Sequence, residues 1–132
     1  MIINSVKNAI SDQSDDGRSL NEIVDEFREG RNSVELLQLL DSNESELIAI
    51  GVWIFSELPF SAYNSDIFIE KLNSLTTHDD PLVRFNSINA LYPALMQGHE
   101  SVRISFTRLC EDINNGVSDL ARAAQNSLPR KL

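Results

Sequence analysis

The stretch Asp79-Asp80-Pro81-Leu82-Val83-Arg84-Phe85-Asn86-Ser87-Ile88-Asn89-Ala90-Leu91 decides how this chain is read. An acid ahead of proline is a strong helix start. The carboxylate can accept from an early backbone N–H, and proline at the first helical position gives up an N–H that would be orphaned anyway. The apolar run from Leu82 carries on at helical spacing through Leu91 and Ala94. Two other segments align with it. Leu47-Ile-Ala-Ile-Gly-Val-Trp-Ile-Phe lies 36 residues upstream, and Leu120-Ala-Arg-Ala-Ala-Gln-Asn-Ser-Leu lies 37 downstream. The first slot holds Leu47, Val83 and Leu120. The fifth holds Gly51, Ser87 and Ala124, all small, and the ninth holds Phe55, Leu91 and Leu128. A small residue at a fixed slot lets two helices approach closely.

Helix signals recur outward from there. Ser19-Leu20-Asn21-Glu22 fits a capping box, and Gly30 fits a left-handed stop. Ser33 can cap a helix carrying Leu36, Leu37, Leu39 and Leu40, broken by Asp41-Ser42-Asn43. A helix from about Glu44 to Leu58 stops near Pro59, and Ser65 can cap Asp66 to Leu75. Gly98, Gly116 and Pro129 are placed to close later segments. The first ten residues fit a further short helix, and 11–18 read as an exposed loop. Strand alternation is nearly absent. First helices are expected to end at Leu40, Leu75 and Ile113. The expectation is an all-α chain in one domain: N-terminal helices over 1–31, then helix pairs over 33–59, 65–95 and 99–129. A repeat period of this length built from helix pairs implies an α-solenoid.

The segment Asp79–Leu91 resembles the second half of a HEAT-type repeat, with Asp80, Pro81, Val83, Arg84, Ser87, Ala90 and Leu91 matching slot by slot. The other two units lack the proline and replace Arg84 by Ile48 and Ala121. The resemblance implies a short HEAT-like stack of about three helix pairs with an N-terminal helical cap. Such a stack binds other macromolecules.

Composition narrows the partner. The chain has 132 residues, is 42% apolar, and carries a net charge of −9. Residues 32–83 hold nine acids and one base, Lys71, whereas 84–132 are net +2. A concentrated negative field repels nucleic acid and anionic lipid, and attracts basic surfaces. The longest apolar run, Leu47 to Phe55, is too short to span a bilayer. The first ten residues lack the pattern of a signal peptide. One cysteine, Cys110, excludes an internal disulfide and fits a reducing, cytoplasmic compartment. Cys110 reads as a small buried hydrophobe. His78 and His99 lack zinc-ligand spacing, and no glycine-rich loop follows a strand. No catalytic residue, metal, cofactor, nucleic acid, membrane or small-molecule substrate is therefore expected.

If the units stack, the second helices expose one stripe each. These are Ala49, Trp53 and Ser56, then Phe85, Asn89 and Tyr92, then Arg122, Asn126 and Pro129. Trp53, Phe85 and Tyr92 can anchor a partner, with Glu44, Glu46, Glu57, Asp79 and Asp80 around them. Trp53 fits a core position equally well, since its helix is apolar on nearly every face.

Small acidic helical-repeat proteins are similar to the immunity proteins of bacterial contact-dependent growth inhibition and related toxin systems. That likeness implies a non-catalytic inhibitor that binds a cognate, cationic nuclease toxin domain as a heterodimer through its acidic surface. The alternative is an adaptor or scaffold holding a peptide or enzyme in its groove. A third reading, a helical-repeat DNA glycosylase, needs a basic groove, which the charge map opposes.

Overall fold

The computed structural model describes residues 2–11 and 17–128. It contains eight α-helices and, among the described residues, no strand. Helix α1 spans Ile2–Ser11 and α2 spans Arg18–Arg28. A 3-10 turn at Ser33–Leu36 runs into the short α3, Leu37–Leu40. Then come α4 (Ser45–Glu57), α5 (Asp66–Ser74) with a 3-10 extension at Leu75–Thr77, α6 (Pro81–Met96), α7 (Glu100–Leu109) and α8 (Asn115–Asn126).

The helix ends show why these boundaries hold. Asp80 Oδ1 accepts from the Leu82 N–H at 2.9 Å, with Pro81 at the first helical position. Gly30 has φ +116°. Its N–H bonds to Phe27 O, and the Arg31 N–H reaches Glu26 O, which together satisfy the last carbonyls of α2. Gly98 ends α6 in the same way through Leu95 O and Ala94 O.

Several expected boundaries move. Helix α2 starts at Arg18 from Gly17, a left-handed residue at φ +83°, so Ser19 lies inside the helix and does not head a capping box. Asn32 caps the segment expected to start from Ser33, accepting from the Val34 N–H at 3.0 Å. Helix α7 ends at Leu109, and Ile113 stands in the following turn, 95% exposed. Gly116 opens α8 and does not close a helix, because Asn114 Oδ1 caps it through the Val117 N–H at 3.1 Å.

That last cap shifts the third repeat by three residues. Counted from the helix starts, Val117 and Ala121 take the places of Leu47 and Gly51, and of Val83 and Ser87. Val117 is 1% exposed and Ala121 fully buried, whereas Leu120 is half-exposed. The aligned segments are thus spaced by 36 residues and then 34, and Ser118 stands where α6 has Arg84. Pro129, and residues 12–16 of the expected loop, lie outside the described residues.

The largest packing contact joins α4 to α6, and α6 in turn packs on α8. Each lies against the helix before it in sequence, α3 on α4, α5 on α6 and α7 on α8. Helix α1 rests on α2, α3 and α4. Helices α4 and α6 run in the same direction, since Glu46 faces Leu82 across one groove and the Asn86 amide donates to Ala49 O at 2.9 Å. Helix α8 runs parallel to α6, with the Tyr92 and Ser127 hydroxyls hydrogen-bonded across them.

Gly51 shows what the small slot does. A Cβ there would lie 2.8 Å from Leu39 Cβ and 3.1 Å from Leu40 Cδ2, so glycine alone allows α3 this close to α4. Tyr63 pins the linker between α4 and α5. Its ring stacks edge-on against Phe55 and Phe60, and its hydroxyl donates to Ala90 O of α6 at 2.9 Å. Burial pushes that phenol up to about 12.

Candidate functional site

The parallel inner helices open two grooves on one face. The first has a volume of about 390 Å³. Ala49, Ile50 and Trp53 of α4 make its floor. Leu82 and Asn86 of α6 make one wall, and Leu20 and Asn21 of α2 make the other. The second, about 260 Å³, lies one unit along and is lined by Asn89 and Tyr92 of α6 and by Leu120, Ala123 and Ser127 of α8. Asn89 holds in α6 the place that Trp53 holds in α4, so both grooves open on the same side of the row.

Of the three aromatic residues expected on this face, two line it. Trp53 is half-buried, packed against the core with its remaining surface in the first groove. It is therefore core and surface at once. Tyr92 lines the second groove. Phe85 packs against the core and lines neither groove. Ala49 and Ser56 are buried and half-buried, and Asn89, Arg122 and Asn126 are exposed.

The expected acids separate into three places. Glu46 is exposed and lines both the first groove and a recess of about 250 Å³ beside α1. Glu44, in that recess, pairs with Lys7 Nζ at 3.2 Å. Asp79 and Asp80 precede α6, at the same edge of the row, because α4 and α6 are parallel. Glu57 is at the far end of α4. Eleven residues at 1.5 Å rise put it roughly 16 Å along the axis from Glu46. Arg28 holds it there, through Glu57 Oε2 at 3.3 Å and the Glu57 carbonyl at 3.1 Å. The expected ring of acids is thus an edge formed by Glu44, Glu46, Asp79 and Asp80, with Glu57 apart from it.

Asp79 also lines a polar recess of about 400 Å³ between the turns before α6 and α8. Arg84 organises it. Its guanidinium makes a two-point contact with Asp112, at 2.8 and 2.9 Å, and donates to the carbonyls of His78 and Asp79 at 2.8 and 2.9 Å. The Arg84 and Asp112 side chains are only 13% and 10% exposed. The Arg84 hydrogen bonds hold the Asp112 carboxyl below the usual carboxylate range, against the opposing pull of burial. Arg84 stands in the matched motif, but its partner lies 28 residues away, and nothing local in the sequence points to Asp112.

Cys110 is half-buried, not fully buried as expected. Its thiol donates to Gln125 Oε1 at 3.2 Å, and burial pushes it up. His78 Nδ1 accepts from the Asp80 N–H at 3.0 Å and so belongs to the turn. No group of three or more His, Cys, Asp or Glu side chains among the described residues is arranged to hold a metal ion. No described helix is long and apolar enough to cross a membrane. What the face offers is apolar recesses, amide edges and carboxylates. No protein-family model matches the chain, and no curated protein or solved structure matches it.

Proposed function

We propose that the chain is a HEAT-like stack of three helix pairs, α3–α4, α5–α6 and α7–α8, capped by α1 and α2. We propose further that it acts without catalysis as an immunity protein, binding and neutralising a cationic nuclease toxin domain. One observation carries the reading: α4 and α6 are parallel, so their acidic starts fall on one edge beside a groove floored by Trp53. A nuclease must present cations to hold phosphates. A preformed acidic edge can occupy that cationic site, and its field speeds the encounter. Lys71 pairs with Asp41 at 2.6 Å and Lys7 with Glu44 at 3.2 Å, so Glu46, Asp79 and Asp80 carry the charge of the edge.

The reading requires a toxin gene immediately upstream of this chain's gene, and the test is protection of cells producing the toxin domain of such a gene. Wild-type chain should restore growth. A variant with Glu44→Lys, Asp79→Lys and Asp80→Asn should not, at equal expression. Asparagine keeps the helix cap while removing its charge. Full protection by that variant would overturn the acidic-edge reading. The apolar character of the first groove favours a second reading, an adaptor that holds a partner's peptide. An adaptor would bind its partner with no toxin gene alongside.

A further inference from the structure

The acidic edge leaves the first groove unexplained. Its floor and walls are mostly apolar, and Leu82 on its rim is 54% exposed. Its volume of about 390 Å³ falls within the range of about 300–1,000 Å³ typical of ligand sites. Among the described residues that line it, Glu46 is the one that carries a charge. Five of its nine lining residues, Glu46, Ala49, Ile50, Trp53 and Leu82, come from the acidic segment 32–83. These facts constrain the occupant. An acidic segment is repelled. A purely apolar one covers Glu46 and leaves a desolvated carboxylate without a partner, which is costly. A large apolar side chain with a cation beside it meets both demands.

We infer that the groove receives an exposed segment of the protein partner in which a large apolar residue neighbours a lysine or arginine. The apolar side chain lies over Trp53 between Leu20 and Leu82, and the cation pairs with the Glu46 carboxylate. The inference rests on the protein-binding reading above but does not require the partner to be a toxin. An aromatic floor ringed by weaker contacts is the usual setting of an energetic anchor.

Trp53 is the only tryptophan, so its emission reports on the groove directly. The probes are three synthetic peptides of equal length: a Leu/Lys amphipathic peptide, its Leu/Glu counterpart, and a Ser/Lys peptide of the same charge. The Leu/Lys peptide should shift Trp53 emission to the blue in a saturable titration, and the other two should bind at least about tenfold more weakly. Glu46→Gln and Leu82→Ser, both at exposed positions, should each weaken the Leu/Lys peptide. Asp119→Asn, exposed on α8 and outside both the groove and the acidic edge, should leave it unchanged. Equal binding of the Leu/Glu peptide, or no shift with any peptide, would overturn the inference. So would an emission shift that follows protein concentration alone, which would mark a second copy as the occupant. If the peptides fail while the edge variant still loses protection against the toxin, the groove assignment falls and the protein-binding reading stands.

Discussion

Arg84 joins two turns of this fold through one side chain. It closes the turn ahead of α6 through two carbonyls and ties that turn to the one ahead of α8 through Asp112. Removing one partner of a mostly buried pair strands the other without compensation. Arg84→Ala is therefore expected to cost about 3 kcal/mol in chemical denaturation. The pH dependence follows from Asp112. Its carboxyl is held low in the folded state by Arg84, so the folded protein binds fewer protons than the unfolded chain. The pair's contribution is complete above the unfolded carboxyl pKa of about 3.9, and is lost as pH falls through the lower, folded value. The stability gap between wild type and Asp112→Asn should shrink as pH drops below about 4. A gap that stays constant down to acid unfolding would contradict this role.

At the scale of elements, α3 sits tightly on α4 at Gly51. Gly51→Ala should cost about 1–3 kcal/mol by denaturant titration, because Leu39 Cβ moves only with its backbone. An unchanged or raised midpoint would show that the two helices can part at little cost. The same elements show what could be read from the chain. Caps and stops were legible where one residue type has one purpose, as at Asp80-Pro81, Gly30 and Gly98. The third repeat was placed three residues late because Leu120-Ala-Arg-Ala-Ala mimics the apolar pattern. The decision rests on whether Asn114 or Gly116 owns the boundary, and that is settled by a side-chain hydrogen bond. Trp53 and Glu46 were legible as parts of one face. The α2 wall, Leu20 and Asn21, was not, because residues some 30 apart meet there only through tertiary packing. The separation of Glu57 from the other acids is legible too, because a helix from about Glu44 to Leu58 puts Glu44 and Glu57 at opposite ends.

Across the whole molecule, charge and shape converge on one side of the row. The parallel helices α4 and α6 carry their acidic starts to a shared edge, and the groove between them opens beside it. Such a surface should associate quickly with a cationic partner and lose affinity as salt screens the edge. Grooves alone would give salt-independent binding. The measurement that separates these is the dissociation constant for the cationic toxin domain that the proposal requires, taken by calorimetry at low and high salt for wild type and for Glu44→Lys/Asp79→Lys/Asp80→Asn. A charge-led interface predicts that the variant binds at least about thirtyfold more weakly at low salt, or about 2 kcal/mol, with the difference narrowing at high salt. Equal dissociation constants for the two proteins at both salt concentrations would contradict it.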